Sequence, residues 1–129
     1  MKLLRIATTI NSTSAPYNQF SLGLKEKIDQ TFCSFLRLDV MIDENIEGFY
    51  GDGSILKMMK LLRALVRKNN YDVVHIHSGL TGVIFLISIF PFRLALLRKT
   101  VFTLHNSWHV LKRRNQFLNF FVMLAAKKV

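Results

Sequence analysis

Residues 71–79 read YDVVHIHSG and predict a short buried strand that leads directly into a helix. The β-branched centre of this stretch favours the strand, and Ser78 and Gly79 are expected to open the helix. An apolar run follows over residues 83–97, and residues 99–105 predict the next strand. A strand, a helix and a second strand in this order predict a parallel sheet with right-handed crossovers.

The rest of the chain repeats this alternation, so the predicted order of elements is β-α-β-α-β-α-β-α. Two earlier strands are predicted at residues 2–10 and 31–40. Further helices are predicted from Tyr17, over residues 55–69 behind a Ser54 N-cap, and over 113–128, whereas the polar, Gly-rich stretch 41–53 predicts a loop. The fold class is therefore α/β, with a Rossmann-like open parallel sheet flanked by helices in a single domain over residues 1–129.

The formal net charge of +10 is concentrated in the second half of the chain. Residues 1–72 hold ten Lys or Arg and eight Asp or Glu, whereas residues 73–129 hold eight basic residues and no acidic one. A half that is both basic and rich in Phe, Leu and Ile favours an anionic membrane surface or an anionic substrate. Nucleic acid is not expected as a partner, because no binding motif is recognisable and the Phe residues lie inside apolar runs.

Several classes of protein are disfavoured. The single cysteine, Cys33, cannot form a disulfide within the chain and provides no metal cluster. The apolar run at 83–97 is interrupted by Pro91 and is short for a membrane-spanning helix, which needs about 20 residues. Arg5 and a polar stretch interrupt the first residues too early for a signal peptide. We therefore expect a cytoplasmic protein, at most peripheral at the inner face of the membrane.

Polar side chains lie where the strand at 73–78 ends, and ligands of open parallel sheets bind beyond the carboxyl ends of strands. His75 and His77 are two residues apart and so lie on one face of the strand. His77, Ser78 and Gly79 are expected at its carboxyl end, where free helix N–H groups favour an anion or a sugar hydroxyl. The alternative is that both histidines are hydrogen-bonded structural residues.

A second polar cluster follows the strand at 99–105. His105 ends that strand, and Asn106, Ser107 and Trp108 come directly after it. Trp108 offers a flat surface for stacking on a sugar or a lipid, although a single Trp is more often a packing residue. No metal is expected, because the histidines have no acidic residue nearby and their spacing matches no metal-binding pattern.

The loop after the first strand lacks a nucleotide-binding fingerprint. Asn11, Ser12 and Thr13 could approach a diphosphate, but the loop contains no glycine and no G-x-G-x-x-G follows the strand. A nicotinamide-dinucleotide site is therefore not expected, and the chain also lacks the P-loop sequence of NTPases. No cofactor is expected.

Two motifs together, YDVVHIHSG at 71–79 and KTVFTLHNSW at 99–108, resemble the N-terminal domain of family 4 glycosyltransferases. The family pattern is a strand D-hydrophobic-hydrophobic-H-x-H followed, after one helix, by a strand that ends T-x-H. The resemblance implies a retaining enzyme of the GT-B type, in which two Rossmann-like domains face a cleft and this chain forms the acceptor-side half. His105 would then be the catalytic histidine, which lies near the transferred sugar.

The resemblance also implies the substrates. The donor would be a nucleotide sugar, used as a substrate and not as a cofactor, and the acceptor a polysaccharide or a lipid-linked glycan. His77, Ser78, Gly79 and residues 106–108 would line the acceptor cleft, and residues 11–13 would pass the donor diphosphate, although this loop lacks the family's two glycines. The family binds its donor in a second domain, with a basic pair and a Glu-x7-Glu motif that this sequence does not contain.

The chain is accordingly expected to be inactive in sugar transfer without a donor-binding C-terminal half, and a separate chain is one possible source of that half. One alternative is a non-catalytic, membrane-associated scaffold or binding module that recruits a donor-binding partner. A truncated gene product and a fragment without function also fit the sequence.

Overall fold

Five parallel strands form one sheet in the part of the chain that the computed structural model describes, residues 1–9, 28–36 and 47–103. The strands are β1 Lys2–Ala7, β2 Asp29–Ser34, β3 Glu47–Tyr50, β4 Val73–Ile76 and β5 Thr100–Phe102. Their order across the sheet is β3-β2-β1-β4-β5. This order is typical of the doubly wound Rossmann sheet, so the predicted α/β fold class is confirmed.

The described part of the chain contains two α-helices between strands, α1 at Ile55–Lys68 and α2 at Gly79–Ile89. Helix α1 begins behind Ser54, whose hydroxyl accepts a hydrogen bond from the Lys57 N–H at 3.3 Å, as the sequence predicts. The apolar stripe of α1 is buried, and it consists of Met58, Leu62, Leu65 and Val66. These residues follow one another at helical spacing and so lie on one face of the helix.

Both helices lie on the same face of the sheet. The connections from β3 to β4 and from β4 to β5 advance in the same direction across the sheet, and right-handed crossovers then place both helices on one side. Helices α1 and α2 pack against each other. Together with the sheet they enclose a core to which the strands contribute Leu4, Ile6, Cys33, Val74 and Ile76.

The central strands are buried on both faces. Leu3, Arg5 and Phe32 alternate with the residues that face α1 and α2, yet each of the three is at most 6% exposed. Phe32 and its neighbour Cys33 are both buried. The alternation that predicts β2 therefore does not separate a core face from a solvent face, as is usual for the inner strands of a parallel sheet.

Two predicted boundaries are wrong. Strand β2 begins at Asp29 and ends at Ser34, whereas the prediction was 31–40. The stretch 41–53, predicted as a loop, contains the edge strand β3. Pairing aligns Glu47 with Thr31 and Tyr50 with Ser34, so β2 supplies the hydrogen-bond partners of β3. Strand β3 is short and half-exposed, and its local sequence pattern does not reveal these partners.

Pro91 divides the long apolar run, in agreement with the sequence analysis. Helix α2 ends at Ile89, and a 3-10 helix at Leu94–Lys99 leads into β5. Strand β5 confirms the first part of the strand predicted over 99–105. Within the three described stretches, no helix combines the length and the apolar content that crossing a bilayer requires.

Candidate functional site at the carboxyl edge of the sheet

The chain leaves β1 in one direction across the sheet and passes from β4 to β5 in the other, so the carboxyl ends of β1 and β4 define a topological switch point. Thr8 follows β1 at this point, and His77 and Ser78 follow β4. The His77 N–H donates to the Ile6 carbonyl at 2.8 Å, which continues the ladder between β1 and β4. The backbone therefore holds these residues side by side at the edge where ligands of such sheets bind.

Three hydroxyls join β1, β4 and the start of α2. The Thr8 and Ser78 hydroxyl oxygens are 2.7 Å apart, and Ser78 Oγ lies 2.8 Å from Thr81 Oγ1. Ser78 is also the N-cap of α2 and accepts from the Thr81 N–H at 3.4 Å. We call Thr8, Ser78 and Thr81 the hydroxyl cluster.

Either hydroxyl of each pair in the cluster can be the donor. The Thr81 hydroxyl also lies within 3.2 Å of the Ser78 carbonyl, to which it can donate. A hydroxyl oxygen has two lone pairs, so Thr8 Oγ1 keeps at least one for a further donor at the switch point in either arrangement.

The two imidazoles lie on one face of β4 and its extension, as predicted. The His75 and His77 ring centroids are 3.9 Å apart with the ring planes tilted by 40°. A hydrogen bond of 2.7 Å joins His75 Nε2 to Thr103 Oγ1, which directly follows β5. His75 therefore has the structural, hydrogen-bonded role that the sequence left open, and it ties together the two stretches 71–79 and 99–108.

A buried cation lies beside these rings. Arg5 on β1 is in register with His75 on β4, and Arg5 is only 2% exposed. Its guanidinium carbon lies 5.5 Å from the centre of the Phe32 ring. Burial lowers the pKa of Arg5 to about 10, so the side chain stays charged at neutral pH. A buried positive charge therefore lies on the face of the sheet that carries His75.

The carboxyl end of β3 leads into a tight turn. Asp52 and Gly53 have φ values of 51° and 75°, in the left-handed region. Asp52 forms an ion pair with Lys57 in the first turn of α1. The ammonium group of Lys57 is therefore already neutralised at this edge.

Close packing holds the amino-terminal part of α2 against β5. A Cβ atom at Gly82 would overlap the ring of Phe102. Glycine at this position thus allows the ring of Phe102, the residue directly before Thr103, to lie against the helix backbone. The contact fixes the start of α2 relative to β5, and Thr103, the hydrogen-bond partner of His75, directly follows that strand.

The structure describes the position of only some of the residues predicted for the site, and the roles of all of them stay predictions. His77, Ser78 and Gly79 lie at the carboxyl end of β4, where the sequence predicts them. The predicted residues outside the described part of the chain are Asn11, Ser12, Thr13, His105, Asn106, Ser107 and Trp108, and their roles stay predictions. Sequence reasoning missed Thr8 and Thr103 because both lie inside the predicted strands, 2–10 and 99–105, whereas the observed strands end at Ala7 and Phe102.

Comparison with known proteins adds one finding. The family model described as Glycosyltransferase Family 4 matches residues 26–129, which is most of the chain and includes β2 to β5 and both helices. No curated protein matches the chain.

Proposed function

Because this chain belongs to Glycosyltransferase Family 4, we propose that it is the acceptor-binding half of an enzyme that transfers a sugar from a nucleotide-sugar donor. The acceptor is a polysaccharide or a lipid-linked glycan. The observation that carries the proposal is the convergence of His77, Ser78 and Thr8 at the switch point between β1 and β4. In this fold class the switch point is where a ligand enters.

The chemistry of this edge suits an acceptor better than a diphosphate. Its described side chains are hydroxyls and imidazoles, which can both donate to and accept from sugar hydroxyls. Thr8 Oγ1 keeps acceptor capacity, and the cation at the start of α1, Lys57, is engaged by Asp52. We propose that His77, Ser78 and Gly79 bind and orient the acceptor.

The family pattern extends the proposed site along the chain. Thr103 begins the T-x-H sequence, and its bond to His75 joins this motif to the H-x-H strand. We propose that His105 lies next to the transferred sugar, that residues 106–108 continue the acceptor path, and that residues 11–13 pass the donor diphosphate.

Sugar transfer also requires stabilisation of the departing diphosphate. Preorganised cations and N–H donors usually supply a large part of such transition-state stabilisation. We propose that a donor-binding half supplies them and that the present residues alone do not transfer sugar.

The test measures transfer from radiolabelled nucleotide sugars to a membrane glycan fraction, with a donor-binding domain of the family added to the chain in trans. We expect His105→Ala to lower kcat/KM by about a hundredfold, the size of effect typical for loss of one stabilising group. His77→Ala is expected mainly to raise the KM for the acceptor. Lys60→Ala, on the exposed side of α1, is the matched control. Rates equal to wild type in both histidine variants would contradict the proposal.

A second candidate function is a non-catalytic, membrane-associated scaffold that recruits a donor-binding partner. It is favoured by the exposed side chains of Phe90 and Phe92 after α2. Three arginines, Arg63, Arg67 and Arg93, line a groove together with Phe92. Vesicle binding by the chain without rate gain in any reconstituted assembly would favour the scaffold. Both candidates place the protein in the cytoplasm at the inner face of the membrane.

A further inference from the structure

We propose that the segment after α2 docks the protein onto an anionic lipid bilayer, with the carboxyl edge of the sheet directed away from the membrane. The docking surface consists of four apolar side chains, Ile87, Phe90, Phe92 and Leu94, and three arginines, Arg63, Arg67 and Arg93. We call it the arginine–phenylalanine surface. The inference rests on the membrane association proposed above and adds to it the residues and the orientation.

The apolar part of this surface is unusually exposed. Phe92 is 82% exposed, Phe90 63%, Ile87 50% and Leu94 45%. Single exposed apolar residues are common on soluble proteins, but here four of them fall within eight consecutive residues around Pro91. Two of the four are aromatic, and aromatic side chains are enriched where proteins enter the membrane interface.

The basic part lies directly beside the phenylalanine. A groove of about 100 Å³ is lined by Arg63, Arg67 and Arg93 together with Ser88, Ile89 and Phe92. The Arg63 Nε–H donates to the Ser88 carbonyl at 3.3 Å, which anchors this guanidinium at the groove. That bond uses one of its five N–H donors, and the planar group matches the geometry of a phosphate.

The described residues that line the groove include no acidic side chain. Residues 73–103, which include α2 and the exposed segment, contain no Asp or Glu. Asp29 and Asp72 lie at the starts of β2 and β4, at the same edge of the sheet, and both are engaged by Lys2. Its ammonium lies 3.9 Å from Asp29, and its backbone N–H donates to Asp72 at 2.8 Å. The described lining of the groove therefore carries positive charge.

An anionic lipid surface fits this combination better than a folded protein does. A stable protein interface buries about 800 Å² on each partner, whereas this surface is a short protruding turn with a groove that suits a phosphate group. Phenylalanine can enter the boundary between head groups and acyl chains while neighbouring arginines contact lipid phosphates. The apolar side chains of the surface thus match the acyl-chain layer of one leaflet, and its arginines match the phosphate layer.

The proposed docking also sets the orientation of the sheet. Helix α2 begins at the carboxyl edge, behind Ser78, and ends at Ile89 beside the arginine–phenylalanine surface. Its 11 residues span about 16 Å at 1.5 Å per residue. The hydroxyl cluster therefore lies at the opposite end of the helix from the membrane contact.

The test is co-sedimentation of the full chain with vesicles of phosphatidylcholine alone and with vesicles that contain one quarter phosphatidylglycerol. We expect binding to the anionic vesicles, weakened by high salt. Phe92→Ser should lower the partition coefficient about tenfold, because a nearly fully exposed phenylalanine loses its burial in the bilayer. Arg93→Gln should lower it about fivefold. The matched controls are Leu56→Ser, a 71% exposed residue near the other end of α1, and Lys60→Gln.

The outcomes separate the surface assignment from the proposed membrane association. Anionic-vesicle binding that Phe92→Ser and Arg93→Gln leave unchanged would overturn the assignment while membrane association stands. No binding by the wild-type chain would overturn both. Concentration-dependent self-association that Phe92→Ser abolishes, without vesicle binding, would assign the surface to a second copy of the chain and overturn the lipid proposal. None of these outcomes tests sugar transfer, which is measured in a separate assay.

Discussion

Replacement of Ser78 by alanine tests whether one hydroxyl holds the switch point together. Ser78 and Ser54 are both N-caps with extended backbone, and each accepts from the N–H three residues later. Loss of such a cap costs about 1 kcal/mol. Ser78 additionally contacts the Thr8 and Thr81 hydroxyls at 2.7 and 2.8 Å, and a hydrogen bond of this kind contributes about 1 kcal/mol. We expect Ser78→Ala to cost about 2 kcal/mol or more and Ser54→Ala about 1 kcal/mol.

Urea unfolding, followed by circular dichroism, measures these differences as shifts in the midpoint at a constant slope. The contact across the switch point is isolated by a double-mutant cycle with Thr8→Ala. We expect a coupling of about 1 kcal/mol between positions 8 and 78, because each single variant removes the same hydrogen bond. Ser54→Ala combined with Thr8→Ala is the control cycle and should show no coupling.

Equal costs for the two cap variants, together with no coupling between positions 8 and 78, would refute the reasoning. That result would mean that Thr8 and Ser78 are neighbours without a stabilising contact. The acceptor site proposed at the switch point would then lack the rigid support assumed for it.

Two further predictions concern packing around the site. Burial raises the pKa of the Cys33 thiol to about 12 from 9.0, so the folded state keeps this proton longer and its stability should fall as the pH rises from about 9 towards 12. Urea midpoints should show this fall in the wild-type chain and less of it in Cys33→Ala, and a fall of equal size in both would contradict the assignment to this thiol. Gly82→Ala should cost about 1 kcal/mol, since overlap with the Phe102 ring exceeds the gain in helix propensity. The cost should disappear in a Phe102→Leu background, and its persistence there would exclude the ring as the cause.

Local signals in the sequence were sufficient for the regular elements. The buried stripe of α1 follows the helical period, Ser54 caps α1 and Ser78 opens α2 as predicted, and Pro91 divides the apolar run. Because periodicity and capping act within a few residues, one sequence carries them completely. The placement of His75 and His77 on one face follows in the same way from the two-residue period of a strand.

The features that local signals could not reveal depend on which strands become neighbours. Strand β3 lies in a stretch that reads as a loop, and it forms because β2 supplies its hydrogen-bond partners. Arg5 is buried because β1 lies at the centre of the sheet, although a lone arginine near the chain start suggests exposure. Both outcomes arise from packing between distant segments, which outweighs local preference.

The sequence by itself determined the α/β alternation, the two capped helices and the family to which the chain belongs. Only the tertiary structure decided that Thr8 meets Ser78, 70 residues away, and that His75 meets Thr103, 28 residues away. Alternating strands and helices specify a parallel sheet but not the order of its strands, and many orders satisfy the same local pattern. The order β3-β2-β1-β4-β5 brings β1 beside β4, and that adjacency creates the switch point where the proposed site lies.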